Sequence, residues 1–112
     1  MTCSIVVAAD ALRSLAFGSV GMSYLPLGIP FAHPMRIIKI VNTMDEDVIV
    51  SFDGIIDNDY IPAGGFSLYD LTTNQNEEAG WFFRIGTQVY VKVTAGASSG
   101  GVFLVAFYGL GE

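Results

Sequence analysis

The sequence is poor in the residues from which most active centres are built. It has one cysteine, Cys3, so an intramolecular disulfide and a four-cysteine zinc site are both excluded. No basic residue neighbours Cys3 to lower its thiol pKa, and it reads as a small apolar residue. There is one histidine, His33, between Ala32 and Pro34. Any histidine metal site or Ser-His-Asp triad would hang on that residue alone, and it reads as a structural histidine. The chain lacks a glycine-rich phosphate loop ahead of a helix, a His-Glu-x-x-His pair and a Gly-x-Ser-x-Gly elbow. No catalytic, cofactor-binding or metal-ligating residue is assigned, and an enzyme is not expected.

Charge is the second scarcity. Only 14% of the 112 residues are charged and 52% are hydrophobic, against about 25% charged in ordinary soluble domains. The stretches Ser14–Met35 and Val93–Gly111 hold no Asp, Glu, Lys or Arg. Neither reads as a membrane span, because glycine and proline break the first and the second opens on Gly96, Ser98, Ser99, Gly100 and Gly101. No basic-led apolar run with a small-residue cleavage site opens the sequence, so no secretory signal is expected. A domain with so few charges either exposes apolar surface or covers it with other chains, and large exposed patches are rare on monomers. Assembly is therefore expected. Between Ile40 and Phe83 lie nine acids and no Lys or Arg, while the remainder carries two acids and five basic residues. That imbalance, −9 against +3, disfavours nucleic acid as a partner, since phosphates need a basic stripe. It fits a solvated acidic face, or charge-matched packing between unlike ends of neighbouring subunits.

What is present is mostly β pattern. In "DVIVSFD" the residues Val48, Val50 and Phe52 alternate with polar positions, and in "TQVYVKVT" the residues Val89, Val91 and Val93 do the same. "RIIKIVN" and "GFSLYDL" are β-rich but less regular. "GVFLVAFYG" (Gly101–Gly109) is apolar at successive positions, as in a strand covered on both faces. Turn signals recur at the spacing of an all-β sandwich or barrel. Ile5–Phe17 could make one short helix through Ala8, Ala9, Ala11, Leu12 and Leu15. Gly18–Pro34 reads as an extended arm or edge strand, with Pro26, Pro30 and Pro34 unable to donate backbone hydrogen bonds. The expected organisation is an N-terminal segment and arm over 1–34 and a β-sandwich over 35–112, one domain overall. The arm is expected to serve assembly more than its own subunit, so that deleting residues 1–30 would leave a folded sandwich.

The stretch "SFDGIIDNDYIPAGG" (Ser51–Gly65) raises the question of a site. Three aspartates and an asparagine fall within seven residues. A helix–loop calcium site needs its glycine at position six and a glutamate at position twelve, and neither is in place. A catalytic carboxylate pair needs burial or a like charge to raise one pKa, which this polar segment does not suggest. Asp-Gly at a strand end and Asx-turns explain the same residues, so the stretch is read as a loop between two strands.

With "LRSLAFGSV" at the front, "HPMRIIKIVNTMDEDVIVSFDG" in the middle and "GTQVYVKV" followed by "SSGGVFLVAFYG" at the back, the chain resembles small virion proteins of tailed bacteriophages. The resemblance spans roughly Leu12 to Gly109 and rests on strand and turn signatures. It implies an antiparallel, jelly-roll-like β-sandwich present in many copies on the virion. Its partners would be itself and other capsid or tail proteins, with no nucleic acid, no membrane, no cofactor and no enzymatic activity. Candidate contact residues are Leu25, Pro26, Pro30 and Phe31 on the arm, and Trp81, Phe103 and Tyr108 beyond it. The alternative from another class is a small lectin-like module that holds glycans through Trp81 and tyrosines.

Overall fold

The computed structural model describes residues 6–71 and 83–110. All regular elements among them are strands, apart from one 3-10 turn at Phe17–Ser19. The strands are β1 (Val6–Ala9), β2 (Arg13–Ala16), β3 (Leu25–Pro26), β4 (Met35–Asn42), β5 (Val48–Ser51), β6 (Asp59–Ile61), β7 (Phe66–Asp70), β8 (Tyr90–Val93) and β9 (Gly101–Leu110). They form two antiparallel sheets. In the five-stranded sheet, β1 and β2 lie in succession along one edge of β9, with β4 on its other side and β7 outermost. The four-stranded sheet runs β3-β8-β5-β6. Counted with β1 and β2 as one interrupted strand, the first pairs with the last, β3 with β8, β4 with β7 and β5 with β6. The chain is thus a long folded-back hairpin whose two sheets are closed by the β4–β9 and β5–β8 ladders.

The core follows from side-chain alternation. Ile38 and Ile40 of β4 and Val102, Leu104 and Ala106 of β9 point to one face of their sheet, and each is fully buried. Opposite them stand Val48 and Val50 of β5, Ile61 of β6 and Val91 and Val93 of β8. Burying each large aliphatic side chain contributes about 1.5–3 kcal/mol. The period-two segments expected as strands are β5 and β8, with the expected residues inward. The irregularity of "RIIKIVN" has a cause: the register slips between Met35 and Ile37 opposite Tyr108 and Phe107. This bulge leaves both Met35 and Arg36 buried.

Asn42, also fully buried, joins the two sheets. Its Nδ2 donates to the carbonyls of Glu46 (2.8 Å), Ile61 (3.3 Å) and Pro62 (3.2 Å), and its Oδ1 accepts the Met44 N–H. At Gly100, φ is +82° and an added Cβ would lie 2.2 Å from the Thr43 carbonyl oxygen. Only glycine lets the β8–β9 loop press against the β4 end.

Two expectations are corrected. The helix over Ile5–Phe17 is absent: Val6–Ala9 and Arg13–Ala16 are strands paired with β9. Helix propensity is a weak preference, and here the backbone groups complete a sheet along the β9 edge. The described part of the N-terminal segment, residues 6–34, also packs into the sandwich rather than extending away from it. Val20, Leu27 and Phe31 belong to the core cluster, at 7%, 0% and 2% exposure, and Leu27 donates its N–H to the Val89 carbonyl at 2.8 Å. The proline argument for an edge strand fits: among the described residues β3, with Pro26, pairs with β8 alone. Arg13 ties this segment down. It is buried, its Nε donates to the Ile29 carbonyl (3.1 Å), its guanidinium lies 5.2 Å from the Phe31 ring centroid, and its Nη1 meets Asp10 at 2.7 Å. Burial is the largest single influence and works to raise the Asp10 pKa, but the Arg13 contact, the Ala11 N–H and the charge of His33 together hold the carboxyl below its ordinary value.

Candidate functional surfaces

The two outer faces of the sandwich differ in chemistry. On the five-stranded sheet, residues that alternate with the core point outward. Phe66 of β7, Val41 of β4 and Phe103 of β9 form one cross-strand row. Leu68, Lys39 and Val105 form the next, and Asp70, Ile37 and Phe107 the third. Phe66 is 62% exposed and Leu68 55%, while Ile37, Val41, Phe103, Val105 and Phe107 are half-buried. Ser67, between the two exposed apolar residues, turns inward and is half-buried. The alternation of β7 is therefore reversed, with apolar side chains outward. Across these three rows Lys39 and Asp70 are the only charges, and the Lys39 ammonium sits 6.0 Å from the Phe66 ring centroid.

The four-stranded sheet presents tyrosines and carboxylates instead. Ile49 of β5 lies between Tyr60 of β6 and Lys92 of β8. The loop from Ser51 to Asn58 rises beside this row. Ser51, buried, donates to Asp53 Oδ1 (2.8 Å) and accepts the N–H groups of Asp53 and Gly54. Asp53 Oδ1 also accepts the N–H groups of Ile55 and Ile56, both at 2.9 Å. Asn58 Oδ1 accepts the Phe52 N–H at 2.9 Å. Gly54, at φ +77°, allows the turn under the Tyr90 ring. Asp53 and Asn58 thus cap the backbone of their own loop, as turn chemistry between two strands requires. Those N–H groups hold the Asp53 carboxyl below its ordinary pKa.

The loop sets Asp57 at the edge of a shallow open cleft of about 350 Å³ lined by Ile49, Asp57, Asn58, Asp59 and Tyr60. Asp57 Oδ1 accepts from the Tyr24 hydroxyl and from Lys92 Nζ at 3.3 Å, and the Lys92 ammonium lies 4.4 Å from the Tyr24 ring centroid. Burial and the Asp57 carboxylate push Tyr24 up to about 12, and the Tyr24 hydroxyl in turn lowers Asp57. The Tyr60 hydroxyl donates to Asp47 at 2.6 Å, which fixes its ring and lowers Asp47. Asp59 is occupied with the structure: it accepts from the Tyr69 hydroxyl and the Tyr60 N–H. Among the described residues no group of three or more metal-ligating side chains is found, and none of their helices is long and apolar enough to cross a membrane.

The expected contact residues separate. Phe103 lies on the apolar outer face. Pro26 and Pro30 are exposed and Leu25 is half-buried at the β3 edge. Phe31 is core, not surface, because the β3–β4 connection carries it between the sheets. Tyr108 points to the core side and stacks on His33 at 3.8 Å between ring centroids, with 4° between the planes. Trp81 lies outside the described residues. The sequence reading missed Phe66 and Leu68, whose signal was the apolar-polar alternation of "FSL", and Tyr24 and Tyr60, which no local pattern marks. Comparison of the chain with family models, with curated proteins and with solved structures finds no match.

Proposed function

We propose that this chain is a structural protein of a tailed-phage virion, a jelly roll that self-associates through the outer face of its five-stranded sheet. The first-to-last, β3–β8, β4–β7 and β5–β6 pairing supports a jelly-roll reading. That architecture houses viral capsid and lectin domains, an analogy of fold that narrows the class without fixing the job. The sequence resemblance to small virion proteins supports the same class.

The observation that carries the reading is the exposed apolar face. Three strands about 4.8 Å apart and five residues of about 3.4 Å give a patch of roughly 250 Å². That is the size of the apolar core of a standard interface, which buries about 800 Å² per partner within a polar rim. At about 25 cal/mol per Å², covering two such patches contributes at most about 12 kcal/mol, against an association cost of about 4–15 kcal/mol. A second copy is the occupant the charges favour. The chain carries −6, so copies repel through most surfaces, but Lys39 and Asp70 cancel on this one. The test is light scattering on the full chain at micromolar concentration. A dimer or larger closed species is expected, and a freely soluble monomer at high concentration would overturn the reading.

A further inference from the structure

The cleft on the other sheet plays no part in that contact, since it opens on the opposite side of the sandwich. We infer that it is a binding site for the pyranose ring of a neutral glycan. Three features meet there. The first is an aromatic plane: Tyr60 is 53% exposed, and its hydroxyl is anchored on Asp47 at 2.6 Å, so the ring is held in place before a ligand arrives. The second is an apolar floor, Ile49, directly beside Tyr60 across the β5–β6 ladder. The third is a polar rim with open valences. Both contacts of Asp57 fall on Oδ1, which leaves Oδ2 as an acceptor among the described residues. Asn58 uses Oδ1 on the Phe52 N–H, which leaves Nδ2 as a donor.

A sugar ring presents the matching chemistry, with C–H bonds on one face and hydroxyls that donate and accept around its edge. The cleft, about 350 Å³ and open to solvent, sets one aliphatic and one aromatic side chain beside polar groups, which suits a ligand that docks one face of its ring and leaves the other wet. The rim is preorganised: Asp57 is held by Tyr24 and Lys92, and the loop behind it by Ser51 and Asp53. Such fixing reduces the ordering cost of binding. The choice of a neutral glycan follows from charge. Asp57, Asp59 and Asp47 stand at or near the cleft, and Lys92 is already engaged by Asp57, so sulfated or sialylated sugars meet repulsion.

The test uses the full chain on an array of immobilised neutral and anionic glycans, followed by calorimetric titration with the free monosaccharide of the best hit. Binding to neutral glycans is expected. Tyr60→Ala should weaken it by about tenfold or more, and Tyr60→Phe, which keeps the ring but loses its Asp47 anchor, should weaken it less. Asp57→Asn, which keeps the shape of the rim, should also weaken it. Binding to immobilised glycans but not to the free sugar assigns the site to chain-end or extended glycans, with the same residues required. No binding to any neutral glycan, preference for anionic ones, or affinity unchanged in Tyr60→Ala with an unchanged melt overturns the inference. The free-sugar titration does not depend on the oligomeric state, so its result stands apart from that of the proposed contact between copies.

Discussion

Replacing Leu27 by alanine separates two readings of the N-terminal segment. As an arm serving only a neighbour, Leu27 would be dispensable to the fold. In the structure it is fully buried in the core cluster and its N–H is paired with the Val89 carbonyl. Truncating such a side chain removes its transfer free energy and leaves a cavity, together about 2–5 kcal/mol. For 112 residues the unfolding entropy is roughly 0.24 kcal/mol per degree, so each kcal/mol shifts Tm by about 4 °C. A drop of roughly 8–20 °C is expected in a circular-dichroism melt at fixed protein concentration. Leu12→Ala, at a residue 61% exposed, serves as control and should change stability by no more than about 0.5 kcal/mol. By the same reasoning, deleting residues 1–30 removes β1, β2, β3 and Leu27 and should leave an unfolded chain. An unaltered melt in Leu27→Ala together with lost association would refute the core assignment and restore the arm.

Three further predictions follow from the polar contacts. Asn42→Ala strands the buried Met44 N–H and three carbonyls, at a cost of about 2–4 kcal/mol, seen as a lower urea midpoint with unchanged slope. Asp10, Asp45, Asp47, Asp53, Asp57 and Asp59 are held below their ordinary pKa. Their contribution is therefore present above the unfolded value of about 3.9 and lost as pH falls through the lower folded values. Tyr24, raised to about 12, and Tyr69, raised further, act oppositely. Their contribution is complete below about pH 10 and lost as pH rises through the folded values. Melts across pH should show a plateau with losses at both ends, and a maximum below pH 4 would contradict this. Calcium and a chelator should leave Tm unchanged, because Asp53 is committed to backbone N–H groups and Asp57 to Tyr24 and Lys92. A true site at 100 times its Kd would add about 2.7 kcal/mol.

Strand positions were readable where one face is buried and the other wet. Val48 and Val50, and Val89, Val91 and Val93, alternate cleanly and are core. Where the local pattern failed, long-range pairing had overridden it. Ala8, Ala9 and Leu15 sit at helical spacing, but β9 claims their backbone, and the alternation of buried Arg13 and half-buried Leu15 with exposed Ser14 and Ala16 was the weaker, correct signal. The bulge at Arg36 hid the period of β4. The turn chemistry of Ser51–Asn58 was legible because its hydrogen bonds are local. The cleft was not, because Tyr24, Asp57, Tyr60 and Lys92 meet only when β3, β6 and β8 share a sheet. The apolar outer face needed the register of β7 on β4 before Phe66 and Leu68 could be set beside Val41 and Phe103.

The most direct test of the central claim is the mass of Leu68→Glu in solution beside that of the unaltered chain. Leu68 lies in the middle row of the apolar face and is already 55% exposed in the single chain, so the substitution leaves the core intact. In a contact between two copies it buries two like charges. Ile55→Glu, at an exposed loop residue on the other sheet, provides the control. The account predicts that the unaltered chain and Ile55→Glu form the same oligomer. Leu68→Glu should run as a monomer with an unchanged β-type spectrum. If Leu68→Glu keeps the oligomer, or the unaltered chain is itself a monomer at high concentration, the outer face of the five-stranded sheet is not where copies meet.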